Sequence, residues 1–191
     1  MPPLLKPAVF LDRDGTLIED RGHLREPSEV VFYEETVEAL RRLQARFVLF
    51  IVTNQPGVAQ GLLTHMDVKR LNDYVVSKLG EAGIKVVQTY VCPHQRSDRC
   101  PCIKPEPYFP LRAAECYSLD LSRSFSVGDH PHDVELATRA GLRAGIYLLS
   151  GHGVKHRHEV PANTWVAANI GEAAAIIEHI TSADEQLPQP G

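Results

Sequence analysis

Two aspartates one residue apart, Asp12 and Asp14, close the apolar run Ala8-Val9-Phe10-Leu11. A carboxylate so placed can attack phosphorus, and a second one beside it can carry the proton of the leaving oxygen. Thr53-Asn54-Gln55 ends another apolar run, Lys104 follows a cysteine cluster, and Gly128-Asp129 ends a further run with Asp133 four residues on. Several carboxylates together make an oxygen site suited to Mg²⁺, which keeps waters and binds substrate phosphate. Thr53 and Lys104 would hold the remaining phosphate oxygens. The lysine and the metal would cancel the repulsion between an anionic nucleophile and an anionic ester. Any one of these features is ordinary alone, since Asp-x-Asp and Thr-Asn are common turn and cap chemistry. Four of them in order, each beyond a candidate strand, point to one site.

A second group has different chemistry. Cys92-Pro93-His94 and Cys100-Pro101-Cys102 supply three soft thiolates and an imidazole, the donor set of tetrahedral Zn²⁺. The one-residue gaps suit a turn stiffened by proline. All four positions being filled, the expected zinc is structural. It would pin the loop that delivers Lys104, two residues past Cys102. The fourth cysteine, Cys116, falls in a helical stretch and reads as packing.

Positioning these groups requires strands that end where they begin. Val9-Phe10-Leu11, Phe47 to Val52, Val86 to Val91, Ser124 to Val127 and Ala144 to Leu149 are short apolar runs, and Trp165-Val166 is a sixth candidate. Helical spacing marks Glu34 to Ala45, the stretch through Val68, Leu71, Val75 and Leu79, a stretch from Pro107 to about Cys116, Asp133 to Ala140, and Gly171 to Ile180. Strands and helices alternate, and the strands are continuously apolar rather than alternating. This predicts a doubly wound α/β fold with a mainly parallel sheet and helices on both faces. Ligands in such folds bind beyond the carboxyl ends of the strands. One domain over residues 1–183 is expected, with a polar, proline-containing, disordered tail at 184–191.

The 191 residues suffice for one sizeable core, and 43% of them are hydrophobic. A net charge of −4 without a basic, aromatic-rich stripe argues against nucleic acid as partner. No apolar run approaches the roughly 18 residues of a membrane span, and the proline-rich start does not read as a signal peptide. A cytoplasmic protein acting as a monomer is the expectation, and three clustered cysteines in such a chain suggest metal rather than disulfides.

Asp12-Arg13-Asp14-Gly15-Thr16, Thr53-Asn54, Lys104-Pro105 and Gly128-Asp129 with Asp133 resemble the four motifs of the haloacid dehalogenase superfamily of phosphatases, over about residues 8 to 150. The resemblance implies an aspartyl-phosphate mechanism with Asp12 as nucleophile and Asp14 as general acid and base. It implies Mg²⁺ held by Asp12, the Asp14 main-chain carbonyl and Asp129, with Asp133 supporting from behind, and a phosphoryl group held by Thr53 and Lys104. The Cys-x-His and Cys-x-Cys loop, together with Thr53-Asn54-Gln55-Pro56-Gly57, is similar to the D-glycero-D-manno-heptose 1,7-bisphosphate 7-phosphatases and the related histidinol-phosphate phosphatases. Like them, the chain has no room for a cap domain between the first two motifs or before Lys104. Substrate choice would then fall to short loops, chiefly Asp20-Arg21-Gly22-His23, the zinc loop, and Asn54 and Gln55. The substrate implied is a small phosphorylated metabolite.

The chain departs from these relatives where cations are expected. Ile103 stands before Lys104 in place of arginine, Gln60 stands in place of arginine, and His130-Pro131-His132 follows Asp129 where lysine or arginine is common. A second phosphate needs positive charge from elsewhere. Arg13, Arg21 and the segment Lys155-His156-Arg157-His158 are candidates, the last also reading as a solvated loop. Other readings of the same motifs are histidinol phosphate or another small sugar phosphate as substrate, a nucleic-acid 3′-phosphatase, and a catalytically silent binding protein. The intact set Asp12, Asp14, Thr53, Lys104 and Asp129 argues against the last.

Overall fold

The computed structural model describes residues 5–186. Six strands, β1 (Ala8–Leu11), β2 (Val48–Asn54), β3 (Val86–Cys92), β4 (Phe125–Gly128), β5 (Ala144–Leu148) and β6 (Trp165–Ala167), form one sheet in the order β3-β2-β1-β4-β5-β6. Every pairing is parallel. The helices are α1 (Thr36–Gln44), α2 (His65–Glu81), α3 (Tyr108–Tyr117), α4 (Pro131–Ala140), the short α5 (Gly153–His156) and α6 (Ile170–Gln186).

The apolar central strands β1, β2 and β4 are covered on both faces, as their pattern predicts, while the edge strands β3 and β6 are only partly buried. Val9 and Leu11 of β1 join a core with residues of α1, α2 and α6. Ala8 and Phe10 point the other way, into a core with Phe50, Val52, Phe109 and Ala113. Phe10 and Phe50 stack with centroids 5.4 Å apart. Burial of each such side chain contributes about 1.5–3 kcal/mol, so β1 is anchored from both sides at the point where its chain delivers Asp12.

The strand order reverses direction at β1. The chain steps outward from β1 to β2 and β3, then returns to place β4 on the other side of β1. The crevice outside the ends of β1 and β4 is the switch point at which such sheets bind ligands. Leu11 pairs with Val127 there, and the Asp12 amide donates to the Val127 carbonyl at 2.9 Å. Asp12 and Asp129 therefore leave the sheet side by side.

Local chemistry sets the element ends. Thr64 caps α2 by accepting from the Asp67 amide, while Asp67 accepts from the Thr64 amide. Pro131 occupies the first turn of α4, and Gly141 ends that helix at φ +69. The segment following β1 folds back through an isolated bridge between Ile18 and Phe32. No second domain is inserted there or between β3 and α3 among the described residues. None of the described helices is long and apolar enough to cross a membrane.

One boundary differs from expectation. The tail predicted to begin at Asp184 is helical as far as Gln186: α6 continues through it, and Arg143 donates to both oxygens of Asp184 at 2.8 Å. Residues 187–191 of that predicted tail lie outside the described residues.

Candidate functional site

The switch-point crevice is a cleft of about 670 Å³, lined by Asp12, Asp14, Thr53, Lys104, Asp129 and Asp133 at its inner end. That volume suits a small metabolite. The Lys104 ammonium, 4% exposed, donates to Asp12 Oδ1 at 2.6 Å and to Asp133 Oδ1 at 2.7 Å. Lys104 is itself held by its backbone: its amide donates to Asn54 Oδ1 at 3.1 Å, and the Asn54 amide group reaches its carbonyl at 3.5 Å. Asn54 thus clamps the lysine to the end of β2.

Carboxylate oxygens of Asp12, Asp129 and Asp133 all lie within 4.8 Å of one another. Glycines make this crowding feasible. A Cβ on Gly15, whose φ is +77, would lie 2.1 Å from Asp129 Oδ2. A Cβ on Gly128 would lie 2.1 Å from Asp133 Cγ. Asp133 has both oxygens engaged, Oδ1 by Lys104 and Oδ2 by the His130 amide at 3.1 Å. Asp129 Oδ2 accepts from the His152 amide at 2.6 Å. One oxygen each of Asp12 and Asp129 has no donor among the described residues.

Three largely buried carboxylates against one ammonium leave two negative charges uncompensated. The consequence is a shift in the acidity of Asp129, Asp12 and Lys104. Burial, then the neighbouring carboxylates, hold Asp129 well above the usual carboxylate range. Burial raises Asp12 likewise, against the lowering effect of Lys104. Lys104 is raised by Asp12 and Asp133 despite burial and stays charged. A divalent cation would offset the excess, and the free oxygens of Asp12 and Asp129 are hard donors suited to Mg²⁺. The residues fit the ion.

Asp14 and Thr53 share a wall of the cleft. Gln55 donates from one amide nitrogen to Asp14 Oδ2 at 2.8 Å and to Thr53 Oγ1 at 2.9 Å. The Thr53 hydroxyl hydrogen remains free for a phosphate oxygen. Arg13 forks onto Asp14, with Nη2 to Oδ2 at 2.8 Å, and its Nη1 donates to Asn72 Oδ1 of α2 at 2.6 Å. Arg13 is only 2% exposed, so this candidate cation serves Asp14 and does not face substrate.

The outer end of the cleft is built from loops. Asp20, Gly22 and His23 line it as expected. Asp20 pairs with the His152 ring at 2.8 Å and accepts from the Gly22 amide at 2.8 Å. Arg21 does not join them; it pairs with Glu19 at 2.7 Å and is absent from the cleft lining. The Lys155–His158 segment also stays out, with His156 on Glu159 and Arg157 on the Val160 carbonyl. Sequence reasoning missed Arg96, which lines the cleft from a turn at Arg96–Asp98 inside the cysteine loop. Its signal was weak: one arginine within Gln95-Arg96-Ser97-Asp98-Arg99, with no period to say which side chain turns inward.

The cysteine loop itself converges. Sγ atoms of Cys92, Cys100 and Cys102 stand 3.2 to 3.7 Å apart, and His94 Nδ1 is 3.5 Å from Cys102 and 3.7 Å from Cys92. A tetrahedral site with Zn–S of about 2.3 Å and Zn–N of about 2.0 Å has edges of roughly 3.5 to 3.8 Å. The four donors match it, and they are too far apart for disulfides. Burial pushes the Cys92 thiol up, so a thiolate there needs a cation beside it. Cys116 is exposed, not packed as predicted, because it falls on the solvent side of α3.

This fold and site define a class. The HAD-hydrolase-like family model matches residues 101–173. The chain is 31% identical over 180 residues to the D-glycero-beta-D-manno-heptose-1,7-bisphosphate 7-phosphatase of Yersinia pestis, covering 90% of this chain and 95% of that one. It is 33% identical over 165 residues to the enzyme of that name from Photorhabdus laumondii, covering 82% and 88%. Among solved structures, the D,D-heptose 1,7-bisphosphate phosphatase of B. bronchiseptica, crystallised with magnesium and phosphate, superposes with a TM-score of 0.82 at 29% identity, over 91% of this chain and 99% of that one. The chain belongs to the haloacid dehalogenase-like phosphatases, in the family of these heptose-bisphosphate phosphatases.

Proposed function

We propose that the chain is a cytoplasmic, monomeric, Mg²⁺-dependent phosphomonoesterase, folded as one domain, that removes the 7-phosphate of D-glycero-D-manno-heptose 1,7-bisphosphate. The observation that carries the chemistry is the inner cluster: a nucleophilic carboxylate, an ammonium and two further carboxylates at the switch point of a parallel sheet. The names of the relatives support the substrate.

Asp12 attacks phosphorus through a carboxylate oxygen, and the bond from phosphorus to the sugar oxygen breaks. Asp14 gives a proton to the departing oxygen. It then takes a proton from the water that attacks the aspartyl phosphate, and inorganic phosphate leaves with Asp12 regenerated. Thr53 and Lys104 hold the equatorial phosphoryl oxygens in both halves. Asp12 and Asp129 would hold Mg²⁺, with the Asp14 main-chain carbonyl by family resemblance, while Asp133 orients Lys104 from behind. The bound ion would supply positive charge to the phosphoryl group. Cys92, His94, Cys100 and Cys102 would hold a structural Zn²⁺.

Phosphate release with Mg²⁺ across both heptose bisphosphate anomers, heptose 7-phosphate, histidinol phosphate, other sugar phosphates and a 3′-phosphorylated oligonucleotide tests the reading. The expected result is a kcat/KM for one heptose bisphosphate anomer well above all others. Preference for a monophosphate or an oligonucleotide would overturn the substrate assignment and leave the phosphatase chemistry standing.

A further inference from the structure

The cleft lining contains two permanent cations, Lys104 and Arg96, against five carboxylates. Lys104 is spent on Asp12 and Asp133 and on the transferred phosphoryl group. Arg96 is different. Among the described residues no carboxylate lies within ion-pair distance of it. Its Nη2 donates to the Lys104 carbonyl at 3.3 Å and to His132 Nε2 in a short contact. Both partners orient the guanidinium without neutralising it. Nε and Nη1 have no acceptor among the described residues, so part of the donor fork is free.

The way Arg96 is held gives it a fixed address. His132 stacks on His130 with centroids 4.2 Å apart and planes within 6°. The His132 amide donates to His130 Nδ1 at 3.3 Å, making that nitrogen an acceptor. His132 Nδ1, which also meets it, is then the protonated nitrogen, and His132 Nε2 is left to accept from Arg96. Behind the turn, His94 and Cys100 flank Arg96 in sequence, so the cysteine cluster anchors both ends of the segment that carries it. The carbonyl that Arg96 grips belongs to the residue that holds the transferred phosphate. The separation between the two cationic positions is thus set through a single residue.

The neighbour of Lys104 on the other side is Ile103, apolar, lining the cleft and packed in the core. It offers nothing to an anion. Arg21 and Arg13, which might have done so, are paired elsewhere.

We infer that Arg96, carried on the cysteine loop and held by His132 and the Lys104 carbonyl, recognises the second, non-transferred phosphate of the substrate. The inference rests on the bisphosphate reading given above. A phosphate dianion there would meet an oriented, unneutralised fork, while the ester being cleaved sits at Asp12.

The test compares wild type, Arg96→Ala and Arg96→Lys on heptose 1,7-bisphosphate and on heptose 7-phosphate, with zinc content measured for each. The readout is the ratio of the two kcat/KM values. The expected result is a ratio well above one in wild type, a fall on the order of 10- to 100-fold in Arg96→Ala, carried by KM, and partial recovery in Arg96→Lys at equal zinc. An unchanged ratio in Arg96→Ala would overturn the role of Arg96 alone. A wild-type ratio near one would overturn the bisphosphate reading and the inference with it. Loss of zinc in Arg96→Ala with no recovery in a zinc-replete Arg96→Lys would assign the arginine to loop structure and overturn the inference.

Discussion

The two ends of the cleft are made differently. At the inner end, Asp12, Thr53 and Asp129 stand at strand ends, and Lys104 is clamped to one of them through Asn54. Each is buried or nearly so, and each is fixed by at least one hydrogen bond to a neighbour that is fixed too. At the outer end, Asp20, His23, Gln60 and Arg96 come from loops, and Arg96 is exposed. The sheet imposes the reaction, because its register places the carboxylates. In the proposed reading the loops choose the substrate, and a metal held by the cysteine cluster would give one of them the rigidity that the sheet does not reach. Disturbing one end at a time should therefore separate rate from preference.

The largest effect is expected from Asp12→Asn, which acts on the inner end alone. With the nucleophile gone, kcat should fall by at least about 10³-fold for every substrate, with the order of preference unchanged. The fold should not suffer. Burial and neighbouring carboxylates disfavour the ionised Asp12, so a neutral amide relieves repulsion, and the melting temperature should hold or rise. Turnover within tenfold of wild type would remove Asp12 as nucleophile.

The cysteine cluster lies between the ends, and breaking it should blur their separation. Wild-type protein is expected to carry about one zinc per chain. Cys100→Ser should lose it, and kcat/KM for the bisphosphate should drop by at least about tenfold, with KM rising more than kcat falls. That split follows from position: Lys104 keeps its Asn54, Asp12 and Asp133 contacts, whereas Arg96 loses the anchor on its far side. A zinc-free protein with wild-type kinetic constants would show that the loop holds itself and that the metal has no part in substrate choice.

The inner end was readable in the sequence because its residues sit at the ends of apolar runs, and a parallel sheet gathers such ends in one place. The same logic found the six strands to within a residue or two. The convergence of Cys92, His94, Cys100 and Cys102 was readable from donor type and spacing. The outer end was not, and the failures have a common cause. Arg13, Arg21 and Arg96 are equal in sequence as free cations, yet Arg13 turns back to Asp14 and Asn72, Arg21 takes the nearest glutamate, and Arg96 faces the cleft. No period governs a loop, so direction is set by contacts between segments distant in sequence. Asp184 was missed for a related reason: α6 runs on beyond its apolar stretch, and the partner of Asp184, Arg143, lies 41 residues away.

The smallest effect concerns how His132 keeps Arg96 in place across pH. Burial first, then the adjacent His130 and the charges of Arg96 and Lys104, push His132 down to about 3. His130 is lowered as well, again mainly by burial. An unfolded histidine titrates near 6.5. Between about 3 and 6.5 the unfolded chain therefore binds a proton that folded His132 refuses, and by linkage stability is full above 6.5 and declines as pH falls below it. Wild-type melting temperature should thus drop from pH 7.5 to pH 5, and His132→Asn should flatten part of that slope. Because the imidazole stays neutral from pH 5 to 8, Nε2 remains an acceptor for the guanidinium, and the bisphosphate-to-monophosphate ratio should not bend through that range on its account. An NMR titration placing His132 near 6.5 would contradict this: Arg96 would then face a cation in mild acid, and the outer end would lose its anchor while the inner end, held by Lys104, kept its own.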